Sequence, residues 1–401
     1  MGEKKGNSKL LWYIVFALLT VVMCYFFVVI YFHYISPYSI SNKLTFWPFT
    51  TQSQMEEMYK DAVVEINFSV ENEDFETEDK TVLGVTIRKD GFVVAPFNEL
   101  KQNQTENGFK VLTNYGVVYS GEIVFADQTL NLAILKCQHV GNAEKAVKMA
   151  YAKIGGISNH AEGDEIVAIS SSNHKRSPFQ GEISSISETN CIPASVDGVD
   201  VAEFVLEDGF LISLDLGVGI TNFPNGAIFN KKGEILGFCF QPVMSDDALD
   251  SDQYYVMSTE GACLFVDNVV SQHKKGQTYS NSLVDAVVGV DQTELEYHMS
   301  YGDTQFYFNG EWKNYSSSIE YYSSTDLGGV YLLKDLVYGG KTIEKDCVVT
   351  KIKYQDETYA LQGKIELIWI LYQMEKGDVL TVYYEFLTNL ASEPRSVTIT
   401  V

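Results

Sequence analysis

The sequence predicts a mainly β protein. A large domain of short strands should form a barrel or sandwich, with a compact α+β module after it and one transmembrane helix before it. Three observations carry this. Residues 10–32, LLWYIVFALLTVVMCYFFVVIYF, are an almost unbroken apolar run without charge. From Val63 to about Val270, short apolar strands such as TVLGVTI, FVVAPF and NLAILKC alternate with turn signals such as RKDG, the pattern of all-β domains. After Leu283, strands are mixed with an amphipathic helical string, KIELIWILYQM, as in α+β modules.

Taken in order, residues 1–9 form a short tail in which Lys4, Lys5 and Lys9 outweigh Glu3. A bilayer core of about 30 Å needs about 20 helical residues, which residues 10–32 supply. The positive-inside rule keeps the tail cytoplasmic and exports the rest. A cleavable signal peptide would have a shorter apolar region, roughly 7–15 residues, and a small-residue cleavage site. Residues 33–54 read as a stalk whose Tyr34, Tyr38, Phe46 and Trp47 suit a membrane interface or a neighbouring subunit. The β domain takes residues 55–272, closed by a helix at FVDNVVSQHKK, and residues 273–282 form a polar linker. The final module is residues 283–401. Its Tyr-rich insertion, residues 300–325, carries Asn309-Gly310 between two alternating arms, a strong hairpin signal.

At 401 residues the chain has room for two or three domains. Its 53 acidic against 29 basic side chains give a net charge of −24, which repels phosphate backbones and excludes nucleic acid as a partner. Five of the six cysteines are exported, an odd number without a C-x-x-C pair, so no disulfide framework is indicated. Those in AILKC, LGFCF and GACLFV are expected as buried thiols. Cys137 and His139 share a strand face, and a strand end running into a loop is the expectation there. SDDALDSDQ gathers four aspartates but lacks the Gly and distal Glu of an EF-hand loop. It is expected as a solvated loop, and VENEDFETEDK as an exposed acidic turn. Neither a metal nor a cofactor is expected. The sequons at Asn67, Asn103 and Asn314 would matter only in a eukaryotic secretory pathway.

Specific strings then resemble a known family. GVTIRKDGFVVAPFNEL, ADQTLNLAILK, IGGISNHAEGDEIVAISS and NFPNGAIFNKKGEILGF are similar, in this order, to the conserved blocks of HtrA/Deg-type, trypsin-like serine proteases. LQGKIELIWILYQMEKGDVLTV is similar to the helix and following strand of the PDZ module found after the protease domain there. The resemblance implies a trypsin-like double β-barrel and a PDZ-like domain that binds extended peptides by strand addition. Val287, Val288, Gly289 and Val290 are the candidate peptide-binding strand, with ordinary core strand as the alternative. It also implies a bacterial cell-envelope location and makes a homotrimer plausible.

The family's catalytic residues do not carry over. Its histidine falls on Asn98, its aspartate on Asn131 and its serine on Pro224. Acyl transfer needs a nucleophile, a base for its proton, and a group orienting the base. The Asn98 carboxamide cannot accept that proton near neutral pH. Asp→Asn alone costs about 10⁴ in kcat in a chymotrypsin-type triad. Pro224 removes both a hydroxyl and a backbone N–H that would serve an oxyanion hole. The expectation is therefore a pseudo-protease that binds peptides or a protein partner as an adaptor, sensor or regulator. The alternative is an active serine-type endopeptidase of cell-envelope quality control, using an unforeseen nucleophile such as Thr221 or Ser213. A third reading makes the barrels a structural spacer.

Overall fold

The computed structural model describes residues 6–30, 38–46, 51–71, 77–100, 108–127, 130–172, 174–196, 199–216, 226–242, 253–277, 279, 305–308, 311–314, 330–332, 335–344, 347–361, 364–374, 377–386 and 395–401. Helices α1 (Gly6–Ile30), α2 (Ile40–Phe46) and α3 (Gln52–Ala62) come first. They lead into β1 (Val63–Glu71), β2 (Thr77–Arg88), β3 (Phe92–Pro96), a short α4 (Phe97–Leu100), β4 (Phe109–Leu112), β5 (Val118–Asp127) and β6 (Leu132–His139). These six strands close into an antiparallel barrel in the order β1-β2-β3-β6-β5-β4.

The next strands are β7 (Lys153–Ile154), β8 (Glu165–Ser172), β9 (Lys175–Val196), β10 (Val199–Asp215), β11 (Gly226–Asn230), β12 (Glu234–Pro242) and β13 (Gln253–Ser258). Six of them close a second antiparallel barrel, β8-β9-β10-β13-β12-β11, through the β11–β8 and β11–β12 ladders. The first barrel's order is thus repeated strand for strand. The short β7 adds in parallel beside β12.

Why these strands read as continuous apolar runs follows from their two faces. Successive side chains of a strand point to opposite sides. In β2, β3 and β6, Val82, Val93, Ala95, Ala133, Leu135 and Cys137 fill the interior of the first barrel. Their alternates Leu83, Val85, Phe92, Val94, Leu132 and Ile134 face the core between the barrels. In the second barrel Ile166, Ala168, Ile228 and Leu236 point inward, while Val167, Ile169, Ala227, Phe229, Ile235 and Phe238 point to the same shared core. Both faces are dry, so hydrophobicity does not alternate.

Part of the region expected as a stalk packs onto this body. Ser39 bridges Tyr151, Ile40 is buried, and the Ser41 hydroxyl donates to the Gly233 carbonyl at 3.2 Å. The chain then enters α3 through a capping box in which Thr51 and Gln54 satisfy each other's backbone N–H groups. Tyr59 stacks on Phe229, ring centroids 5.1 Å apart, and donates to the Asn230 carbonyl at 3.1 Å. Apolar Ile40, Leu44, Met55, Met58 and Tyr59 all join the core between the barrels, which is why the segment is ordered. Tyr38 is half-buried and Phe46 ends α2, while Tyr34 and Trp47 lie outside the described residues.

Helix α1 covers most of the expected membrane span. Its described side chains, Trp12 to Val28, are all exposed. Among the described residues no helix is long and apolar enough to cross a membrane, so the expected transmembrane helix finds no support there.

After the second barrel, α5 (Ala262–Lys274) forms at the expected closing helix. The GACLFV string opens this helix rather than a strand, which leaves Cys263 exposed, whereas Cys137, Cys239 and Cys347 are buried thiols. A two-stranded hairpin, β14 (Gln305–Phe308) and β15 (Glu311–Asn314), pairs Phe308 with Glu311 on either side of Asn309-Gly310. The final module holds β16 (Val330–Leu332), β17 (Leu336–Tyr338), β18 (Lys341–Ile343), β19 (Cys347–Tyr354), β20 (Glu357–Ala360), α6 (Lys364–Gln373), β21 (Val379–Phe386) and β22 (Arg395–Thr400). Its main sheet runs β16-β19-β21-β22, with β20 also on β19. The module is α+β, as its mixed pattern predicts.

Helix α6 packs this module against the rest. Its Trp369 ring covers Gly261, where any Cβ would fall inside van der Waals contact of the indole. Tyr372 meets Phe125 and Phe265 with ring centroids 5.2 and 5.0 Å away.

Candidate functional site

The β3–β6 ladder runs from Phe92 opposite Lys136 to Pro96 opposite Leu132. One step further, the Phe97 N–H donates to the Asn131 carbonyl at 3.0 Å. Position 98, in the single turn of α4, and position 131, at the mouth of β6, are therefore neighbours at one end of the first barrel. The α4 turn packs on β6. Two strings 33 residues apart in number converge here because β3 and β6 are adjacent in the barrel order, although not in sequence.

Asn131 is buried and has φ of +47°, in the left-handed region that Asn tolerates better than most residues. The turn before it is held by Asp127, whose Oδ1 accepts the Leu130 N–H at 2.8 Å. The other carboxylate oxygen of Asp127 accepts the Tyr372 hydroxyl of α6. Asp127 is buried, and one carboxylate therefore ties the turn carrying Asn131 to the final module. It stands in the quoted string ADQTLNLAILK, but its partner lies 245 residues away, and no local pattern reveals that.

The third expected position, Pro224, lies outside the described residues, as do Thr221, the acidic SDDALDSDQ loop up to residue 252, and Val287, Val288, Gly289 and Val290. The segment with Pro224 connects the β10 side of the second barrel to Gly226, which opens β11. Ser213, the other alternative nucleophile, sits inside β10 between ladder partners Glu182 and Gln253. Neither neighbour is an imidazole.

Two further sets of titratable groups among the described residues do not form a relay. Burial pushes the Cys137 thiol up to about 12, against the opposing charge of Lys136, so it is inert near neutral pH. His139 instead rests against the Tyr119 ring at 5.0 Å. A set that sequence reading missed joins the two barrels. Glu65 of β1 is fully buried; it accepts the Ser171 hydroxyl on one oxygen and contacts His174 Nδ1 at 2.5 Å on the other. The carboxylate stands between hydroxyl and imidazole, so the imidazole does not act on the serine, as nucleophile activation requires. Beside it, Arg176 of β9 donates to the Leu112 carbonyl at 2.8 Å and to Asn114 at 3.3 Å. The set ties β8 and β9 to β1 and the β4–β5 turn. In the string VVEINF nothing local marks Glu65 as different from a strand residue.

Among the described residues, no group of three or more His, Cys, Asp or Glu could hold a metal ion. No protein-family model matches the chain, and no curated protein matches it significantly.

Proposed function

We propose that this chain is a membrane-anchored, trypsin-like pseudo-protease of HtrA/Deg type that binds peptides or a protein partner without hydrolysing them. The observation that carries this reading is the junction of positions 98 and 131. A relay would need an imidazole and a carboxylate there, and both positions hold asparagine. Two closed barrels of one strand order fit the trypsin-like fold, and the α+β module behind them fits a PDZ-like role. The single-pass anchor rests on the uncharged apolar run of the sequence, with residues 10–32 in the membrane, the tail cytoplasmic and the remaining domains outside a bacterial cell membrane. In this reading the protein acts as adaptor, sensor or regulator, and a trimer remains compatible with it.

The test is cleavage of unfolded casein by the full chain in detergent, beside the variant Asn98→His, Asn131→Asp, Pro224→Ser. The expected outcome is no cleavage by the native chain and no labelling by a fluorophosphonate probe. Cleavage by the native chain, abolished by Ser213→Ala or Thr221→Ala, would replace this reading with an active endopeptidase. Activity gained only by the triple variant would demonstrate that the cleft itself persists.

A further inference from the structure

Resting on the membrane-anchored reading, we infer that the side of the second barrel carrying the β11–β12 turn lies against the lipid surface. The argument begins with covalent reach. The apolar run ends at Phe32, and the chain is pinned again at Tyr38, whose carbonyl accepts the Tyr151 N–H at 2.8 Å. Six residue steps separate these points. At no more than about 3.6 Å per residue they reach at most about 22 Å, whatever path they take. The headgroup region itself occupies roughly 5–8 Å of that distance on each side of the bilayer.

The pinning is structural. The Ile40 N–H donates to the Tyr151 carbonyl at 3.0 Å, and the Ser41 hydroxyl reaches Gly233. Gly233 has φ of +74°, and a Cβ there would lie 2.6 Å from Ile40 Cγ2, so the turn is shaped to receive α2. Tyr59 of α3 then fastens to Asn230 in the same turn. Residues 38–46 and 51–62 are consequently fastened at the β11–β12 turn of the second barrel, and the barrel cannot swing away on a long stalk.

The side chains on this side are compatible with a lipid surface. In a chain of net charge −24, the exposed residues beside these segments include Lys153, Lys231 and Lys232; Lys231 pairs with Glu165 at 2.5 Å. For the proposed function, this places partner recognition in the first few nanometres above the bilayer.

The experiment reconstitutes the full chain into phosphatidylcholine vesicles containing a phospholipid with a photoactivatable diazirine on its headgroup. Labelled residues are then mapped by mass spectrometry. Labelling should concentrate on Asn42, Lys43, Lys153, Lys231 and Lys232, well above Val337 and Val379 on the final module. An insertion of about 20 Gly/Ser residues between Ser36 and Pro37, a flexible coil, should lower it about ninefold, following the three-halves-power dilution of a tether lengthened from six steps to about 26. Even labelling of both regions, or labelling unchanged by the insertion, would overturn the inference while leaving the anchor intact. A chain that carbonate washes from the vesicles would overturn the anchor itself, and the inference with it.

Discussion

The fourth strand of the first barrel, β4, is four residues long and pairs only with β1 and β5. Its counterpart in the second barrel, β11, buries all five of its residues and sends Ala227 and Phe229 into the core shared by both barrels. The two strands hold the same place in the same strand order, yet one closes a barrel and the other also builds the seam. The second barrel further receives α2 at its β11–β12 turn, while the first carries positions 98 and 131 and binds Tyr372 of α6 through Asp127; α3 packs on both. Strand order sets where each element can stand; the neighbours it acquires set what it contributes.

The sharpest way to break this symmetry is a matched pair of truncations. Phe229→Ala should cost about 3–5 kcal/mol, the range for a fully buried aromatic, because it also strips the stacking partner of Tyr59. Phe109→Ala, whose ring meets Phe68 edge-on at 5.6 Å and is 8% exposed, should cost less, about 2 kcal/mol. Thermal or denaturant unfolding of the full chain in detergent measures both. Equal losses would mean that the seam contributes no more than one barrel's interior.

Tyr372→Phe tests the hydrogen bond that joins α6 to Asp127 of the first barrel. It removes the hydroxyl that Asp127 accepts while keeping the ring, and a buried carboxylate losing one partner should cost roughly 1.5–3 kcal/mol. Hydrogen exchange should quicken at Leu130, whose N–H depends on the same carboxylate, and stay unchanged in β11. Protection unchanged at Leu130 would show that α6 does not steady this turn.

Asn131→Ala places a side chain with no local hydrogen-bonding capacity at positive φ, and the expected loss is about 1–2 kcal/mol. Asn131→Gly relieves the backbone conformation and should lose less. A reversed order in unfolding experiments would show that the Asn131 side-chain interactions, not its backbone, hold the turn.

The smallest effect concerns Asp90, between β2 and β3. Burial raises the pKa of its carboxyl, but the hydrogen bond and charge of Lys274 in α5, with the charge of Arg88, outweigh this and hold it below the ordinary carboxylate range. A depressed folded-state value stabilises the fold above the unfolded value, about 3.9, and that contribution disappears as pH falls through the lower folded value. Asp90→Asn should therefore weaken the protein slightly at pH 7 and flatten its acid unfolding in the window below about pH 4. An unaltered acid limb would remove Asp90 from the account.

Much of the fold was legible in the sequence, and for identifiable reasons. Runs such as FVVAPF and NLAILKC, bounded by turn residues, mark strands buried on both faces; the KIELIWILYQM string and the Asn309-Gly310 hairpin arms likewise form where their patterns place them. The stalk was misjudged in part, because Ile40 and Leu44 are too few and too spaced to announce a docked segment. Cys263 was expected buried from its apolar neighbours, yet in a helix it is exposed with Leu264 while Ala262, Phe265 and Val266 are buried. For the site, Asn98 and Asn131 were named from strings alone, whereas Asp127 and Glu65 were not, since their partners lie on other elements.

By itself the sequence determined the residue types at positions 98, 131 and 224, the apolar length of residues 10–32, and the acidity of the chain, because these are properties of local composition. Only the tertiary structure decided that Asn98 and Asn131 adjoin, that Asp127 answers to Tyr372, and that the chain after the apolar run returns to Gly233. Each of these rests on barrel closure and long-range packing. Those forces act between faces, and no stretch of sequence displays the face that it will meet.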